Sequence, residues 1–160
     1  RWNSNSSNKL NELKENTVKI NPYLNFAGNC RQAFEFYAAC LDLEPVIMGV
    51  TETPVAEHFP ADCQHYVMHA QIDNGEGLTL MGCDAPAEMY ERPAGSSVAI
   101  QADTIIEAER IFAALSEGGN ITMPIAETFW SQRFGSFVDK FGISWMVNGP
   151  APLGAEPECA

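Results

Sequence analysis

Thr128-Phe-Trp-Ser-Gln-Arg-Phe-Gly-Ser-Phe-Val-Asp-Lys-Phe-Gly-Ile-Ser-Trp-Met-Val-Asn148 decides how the chain is read. Residues 129–138 and 143–148 alternate bulky apolar with polar side chains, and Asp139-Lys-Phe-Gly142 between them supplies a turn with glycine where a positive φ costs little. The pattern predicts a terminal β-hairpin whose strands are the seventh and eighth of the chain. Beyond it, the stretch from Gly149 holds Pro150, Pro152 and Pro157 and is expected not to pack.

Working upstream, Ser96–Ala102 reads as a strand, and Thr104-Ile-Ile-Glu107 is a capping box that opens a helix with Ala108, Ile111, Phe112 and Leu115 at helical spacing. Gly118-Gly119 stops this helix, and Asn120–Glu127 is the next strand. The first half repeats the order. Val18–Ala27 alternates as a strand should, Gly28 breaks it, and Asn29-Cys-Arg-Gln32 has the spacing of a second capping box. Ala33, Phe34, Phe36, Tyr37, Cys40 and Leu41 then form one wide apolar helical face that ends near Asp42. Leu43–Thr51 is β-rich, with Pro45 suiting an edge position or the start of the strand. Glu52–Gln64 has no period and is expected to be a long surface loop. His65–Asp73 and Gly77–Cys83 flank Asp73-Asn-Gly-Glu76, an Asn-Gly hairpin signal, and Asp84–Gly95 is a second loop.

Shifted by 75 residues, Asn29 falls on Thr104, Gln32 on Glu107, Ala33 on Ala108, Phe36 on Ile111 and Tyr37 on Phe112. Cap, box residue and buried positions coincide, so the chain reads as two copies of one βαβββ unit. The expected fold class is α+β, with antiparallel-rich curved sheets that each carry a helix on one face and enclose a cleft with the other. The boundaries are an N-terminal tail at 1–19, one domain at 20–150 with modules at about 20–83 and 96–148, and a tail at 151–160. Arg1–Thr17 has only Trp2, Leu10 and Leu13 as apolar bulk, too little to offset its ordering entropy.

Nine basic against 21 acidic residues give a formal charge of −12, which repels phosphate backbones and anionic headgroups and so excludes nucleic acid and membrane surfaces as expected partners. No apolar run approaches the ~20 residues of a membrane span, and Arg1–Ile20 lacks the apolar core of a signal peptide, so a cytoplasmic location is expected. Cys30, Cys40, Cys63, Cys83 and Cys159 show no zinc-finger or C-x-x-C spacing and are expected to be free thiols, with Cys30 and Cys40 acting as small helix residues.

Asn21-Pro-Tyr-Leu-Asn-Phe-Ala-Gly-Asn29, Ala33-Phe-Glu-Phe-Tyr37, Met68-His-Ala70, Leu80-Met-Gly-Cys-Asp84, Thr128-Phe-Trp130, Asp139-Lys-Phe-Gly142 and Trp145-Met146 together resemble the PhnB-like branch of the vicinal oxygen chelate superfamily. That superfamily includes glyoxalase I, extradiol dioxygenases, fosfomycin-resistance thiol transferases and bleomycin-binding proteins. The resemblance runs from about Ile20 to Pro150 and implies paired βαβββ modules and a homodimer. Some members of the branch are labelled demethylubiquinone methyltransferases, but the chain has no Gly-rich nucleotide loop after a strand. In the superfamily's enzymes, His and Glu from the first and fourth strands of each module hold a divalent metal. Carried onto this chain, those positions fall on Asn21 or Pro22, near Thr79, on Ser97 and on Met146. None offers an imidazole or a carboxylate, so neither a metal nor a cofactor is expected. His65 and His69, four apart in one strand, would stand ~13 Å from each other at ~3.3 Å per residue, too far to share an ion.

Alternation assigns the faces. Tyr66, Met68, Ala70 and Ile72 are expected beneath the first helix and Val98 and Ile100 beneath the second, which leaves His65, Val67, His69 and Gln71, with Ser97, Ala99, Gln101, Ser144 and Met146, for the cleft. The expected ligand-binding residues are Asn21, Tyr23, Asn25, His69, Thr79, Ser97, Trp130, Arg133 and Met146, an amphipathic and nearly uncharged set. His69 is the candidate acid/base, because imidazole titrates near neutral pH; the alternative is a histidine satisfied by a neighbouring strand. Tyr23 and Trp130 suit packing or stacking on a planar ligand, and Arg133 either reaches the cleft or pairs on the surface. The leading expectation is a small molecule bound in a metal-free cleft, for sequestration or an auxiliary metabolic role, by a homodimer. The alternative is a glyoxalase- or isomerase-like lyase.

Overall fold

A computed structural model describes residues 19–152 and 154. The elements run β1 (Tyr23–Phe26), α1 (Cys30–Leu41), β2 (Pro45–Gly49), β3 (Val67–Asp73), β4 (Thr79–Asp84), β5 (Val98–Gln101), α2 (Ile105–Ser116), β6 (Asn120–Ala126), β7 (Phe134–Val138) and β8 (Ser144–Asn148). They form two four-stranded sheets of the same topology, β1-β4-β3-β2 and β5-β8-β7-β6. In each, the strand before the helix pairs in parallel with the last strand of the module, and the other pairings are antiparallel. This is the twice-repeated βαβββ order expected from the 75-residue shift. The two sheets are not closed onto each other.

Each helix covers one sheet face for the reason its spacing gave. Ala33, Phe34 and Tyr37 of α1 are buried against Leu24, Phe26, Ala70 and Ile72, while Ala108, Ile111, Phe112 and Leu115 of α2 are buried against Phe137, Trp145 and Val147. Two strand glycines allow this approach. A Cβ on Gly82 would stand 2.8 Å from the Phe34 ring, and one on Gly135 would stand 2.5 Å from the Phe112 ring, both inside van der Waals contact.

The helix-covered faces share one core, centred on Asp139. This residue is 4% exposed and directly follows β7. Its Oδ1 accepts the backbone N–H groups of Phe141 at 2.8 Å and Ile143 at 2.9 Å, which closes the hairpin turn. Its Oδ2 accepts the Tyr37 hydroxyl of the first module at 2.6 Å and the Trp145 indole N–H of the second at 2.8 Å. Rings close around the carboxylate: Tyr37 packs edge-on against Trp145 at 5.2 Å and against Phe141 at 5.9 Å. Arg110 adds a bond to the Cys40 carbonyl and an ion pair with Asp42. Burial, reinforced by the neighbouring carboxylate, pushes the Tyr37 phenol far above its ordinary value.

Several local expectations give way to tertiary contacts. Asn29 makes no side-chain cap; Asp84, from the end of β4, takes that role by accepting from the N–H groups of Gly28 and Cys30, and it also accepts from Val67. Thr104 does cap α2, accepting from the Glu107 N–H at 3.2 Å. Met68 is not beneath the first helix. A bulge sets both Met48 and Gly49 against β3 with a skipped residue, so Val67 turns into the core and Met68 is 37% exposed. The β3–β4 connection spans residues 74–78 rather than a two-residue Asn-Gly turn, because the Asn74 side chain accepts from the N–H groups of Glu76 and Leu78. β7 begins at Phe134, and residues 127–133 form a loop pinned by the buried Ser131 hydroxyl, which donates to the carbonyls of Arg133 and Gly149. Gly149 therefore packs, its N–H donating to Arg133, and the Pro150 carbonyl accepts from Gln132. The loop at 52–64 carries short 3-10 turns at Ala56–His58 and Ala61–Cys63. The expected tail at residues 1–18, and most of the one after 152, lie outside the described residues.

Replacing Asp139 by alanine strands the Tyr37 and Trp145 donors in the core. At about 1.5–3 kcal/mol for each bond to a charged acceptor, with relaxation recovering part, a loss of about 3–5 kcal/mol is expected in urea unfolding. Tyr37→Phe, which removes one of the four donors, should cost about 1–2 kcal/mol.

Candidate functional site

The faces opposite the helices carry the residues expected to bind ligand. On the first sheet, Tyr23 and Asn25 of β1, Thr79 of β4 and His69 of β3 all point away from the buried partners Leu24, Phe26, Leu80 and Ala70. The Tyr23 hydroxyl and His69 Nδ1 are 3.3 Å apart, with ring centroids at 5.9 Å. Thr79 donates to Asp73 at 3.0 Å. Asn21 precedes β1 and lines a groove of about 320 Å³ with Thr79, Leu41, Val98, Gln101 and Trp145, between the edge strands β1 and β5.

On the second sheet, Met146 is half-buried and stands between Ala99 and Ser136 in register. Ser97 lies one residue before β5, its hydroxyl 2.8 Å from that of Ser144. Trp130 is in the loop before β7, 44% exposed, with its ring 5.3 Å from Phe134. Arg133 is held at the surface: its Nε donates to Glu109 at 2.5 Å and its Nη1 to the Gln132 carbonyl. Among the described residues, the Asn148 Oδ1 is the buried side-chain oxygen without a hydrogen-bond partner, while its Nδ2 donates to Gln101.

The hydrogen bonds, ion pairs and ring contacts that join the modules all lie on the helix-covered side. The structure therefore groups Tyr23, Asn25, His69 and Thr79 on one face and Ser97 and Met146 on another, with no hydrogen bond or ring contact between the sets. Three contributors were not anticipated. Val46 and Met48 of β2, 71% and 47% exposed, stand opposite Gln71 and His69 and share their face. Cys83, opposite Asn25, shares it too, and alternation from Thr79 was the signal for it.

The superfamily's metal positions do not fit a divalent ion here. They present an amide or proline, two hydroxyls already engaged with Asp73 and Ser144, and a thioether. Among the described residues no three of His, Cys, Asp or Glu gather where they could hold one.

Paired βαβββ modules with helices on one face and open, weakly polar sheet faces on the other define a protein of the glyoxalase/bleomycin resistance/dioxygenase fold. A Frankia sp. EAN1pec domain of that superfamily matches at 14% identity and TM-score 0.54, over 87% of this chain and 93% of that one. Over residues 18–148 the chain matches the family described as 3-demethylubiquinone-9 3-methyltransferase. It is 32% identical to Protein YjdN of Escherichia coli strain K12 over 140 residues, 82% of this chain and 95% of that protein. The crystal structure of PA1353 from Pseudomonas aeruginosa is 40% identical, with TM-score 0.75, over 83% of this chain and 98% of that one. A putative 3-demethylubiquinone-9 3-methyltransferase, PhnB protein, from Bacillus cereus is 27% identical, with TM-score 0.67, over 83% of this chain and all of that one. The chain belongs to this 3-demethylubiquinone-9 3-methyltransferase, PhnB-like family and has the fold of the glyoxalase/bleomycin resistance/dioxygenase proteins.

Burial pushes the Tyr23 phenol up to about 12. Below pH 10 the phenol is protonated in folded and unfolded chains alike. Between pH 10 and about 12 only the unfolded chain ionises there, so stability falls as pH rises through that window. The Tyr23→Phe protein is expected to lose less stability than the parent between those values, read as the difference in Tm by calorimetry.

Proposed function

We propose that this protein binds an uncharged, partly aromatic small molecule without a metal ion, in a cleft made by the first-sheet face of one chain and the second-sheet face of another. One observation carries the reading: the helix-covered faces are joined through Asp139, which among the described residues leaves both ligand-type faces unpaired. Exposed apolar side chains on the first face, Tyr23, Val46 and Met48, support burial against a partner or ligand. A two-fold homodimer would make two such clefts, each closed by both chains. The role is sequestration or service to a metabolic pathway, and four free thiols, Cys30, Cys40, Cys63 and Cys83, suit a reducing cytoplasm.

The family's description names a methyltransferase. The two mixed sheets and the short junctions at Ala27–Asn29 and Ala102–Thr104 offer no Gly-rich loop for a nucleotide cofactor, so the binding reading is preferred. A lyase- or isomerase-like activity with His69 as acid/base is the second reading, favoured by the Tyr23 hydroxyl held 3.3 Å from its Nδ1.

Sedimentation equilibrium at micromolar concentration should give twice the 17.5 kDa chain mass. A thermal-shift screen of uncharged aromatic metabolites should raise Tm for at least one compound, since a ligand that binds only the folded state must stabilise it. That shift should shrink in both Tyr23→Ala and Met146→Ala proteins. A monomer with no stabilising ligand would refute the reading. Titration with zinc, nickel, manganese or iron(II) salts should give no stoichiometric tight binding, and a tight one-to-one site at Thr79, Ser97 or Met146 would count against it.

A further inference from the structure

The groove between β1 and β5 belongs to one chain and opens at the gap between its two sheets. β1 and β5 each end their sheet, so alternate backbone N–H and C=O groups along both have no strand beside them, and no backbone hydrogen bond crosses between them among the described residues. The helix-covered side supplies an apolar floor of Leu41, Leu80, Val98, Ile100 and Trp145, all of which belong to the shared core or pack on it. Thr79 of β4 and Gln101 of β5 stand on the rim, one from each sheet. Their hydrogen-bonding polarity is already set. The Thr79 hydroxyl donates to Asp73 at 3.0 Å, which leaves its oxygen as an acceptor. The Gln101 Oε1 accepts from the Asn148 Nδ2 at 2.7 Å, and its own Nε2 makes no hydrogen bond among the described residues, which leaves a donor. No Asp, Glu, Lys, Arg or His lines the groove, although the chain carries a formal charge of −12.

We propose that this groove is a binding site for a neutral, flat, fused-ring cyclic amide or imide. The class follows from the lining. An acceptor on one sheet and a donor on the other call for a ligand edge that presents an N–H beside a C=O, with the N–H toward Thr79 and the C=O toward Gln101. The apolar floor takes the ring system. An ion does not suit the groove, because with no charged partner in the lining the desolvation of a carboxylate or an ammonium would be uncompensated. The volume of about 320 Å³ lies at the low end for small-molecule sites, about 300–1,000 Å³, and so limits the ligand to a compact ring system rather than a nucleotide or a lipid. The site needs one chain only, so it is separate from the cleft between chains and does not rest on that reading. Trp145 links it to the module junction: the indole that lines the floor donates to Asp139 at 2.8 Å, so a ligand here packs against the contact that joins the modules.

The test titrates quinazoline-2,4-dione into the full chain at pH 7 by calorimetry and follows the tryptophan indole N–H signals by NMR. One dione should bind per chain, shifting the Trp145 signal and leaving that of Trp130 in place. The 1,3-dimethyl derivative, which lacks the N–H, should bind at least tenfold more weakly. Gln101→Glu keeps an oxygen for Asn148 but turns the rim donor into an acceptor, and Thr79→Val removes the rim acceptor. Both variants, folded by their melting curves, should weaken binding of the dione at least fivefold. N-acetylvaline N-methylamide, which offers the same donor and acceptor on an extended chain, should not displace it. No binding to the parent chain, equal affinity for the two diones, unchanged affinity in both variants, or a shift at Trp130 with none at Trp145 overturns the proposal. Displacement by the valine amide overturns it too, because the groove then takes an extended chain. If the protein sediments as a monomer and still binds the dione at Trp145, the cleft between chains falls while this site stands.

Discussion

The joining of the two modules centres on the Asp139 carboxylate. It is a buried charge that four donors satisfy, two from its own turn and one from each module. A carboxylate in an apolar core is costly unless its oxygens are fully bonded, and here the bonds come from a phenol and an indole that also supply the apolar surround. The hairpin turn, the end of β7 and the docking of α1 against the second module are consequently fixed by one side chain. Disturbing any of them strands the others, so the junction behaves as a unit.

That junction sets what the sheets can do. A βαβββ unit has one face for its helix and one face left over. Because Tyr37, Phe141 and Trp145 join the two helix-covered faces into a shared core, the remaining faces gain no partner among the described residues. Those faces and the groove between the edge strands β1 and β5 are the surfaces that the proposed binding would use. The first face is the richer one chemically. It sets Met48 opposite His69 and Cys83 opposite Asn25, with the Tyr23 hydroxyl 3.3 Å from His69 Nδ1, whereas the second offers hydroxyls, a thioether and the partnerless Asn148 oxygen.

Asp84 shows the same economy at the N-terminus of α1. Its carboxylate bonds three backbone N–H groups, from Gly28, Cys30 and Val67, so one side chain from β4 ties together the helix start and the first rung of β3. The repeat does not reproduce this, since α2 is capped locally by Thr104. The two modules thus share a topology while differing in what fixes their helices, and the difference sits at the edge of the face that carries His69.

The sequence by itself determined the element order, the repeat, and which helix positions are buried, because period and glycine placement are local properties that burial then reinforces. The donors at the positions that the superfamily resemblance assigns to a metal, Thr79, Ser97 and Met146 among them, are likewise read from residue identity alone. Tertiary structure decided the rest. A bulge in the pairing of β2 with β3 turned Val67 inward and Met68 outward, which strict alternation cannot foresee. Asp84 displaced Asn29 as the cap because it arrives from a distant strand already aimed at the free N–H groups. Arg133 was bound by Glu109, a partner in α2 rather than in its own strand. The choice of which faces to join, made by Asp139 between Tyr37 and Trp145, is a contact between residues more than a hundred positions apart in the first case and six in the second. Such contacts leave no period in the chain, so only the folded arrangement reveals them.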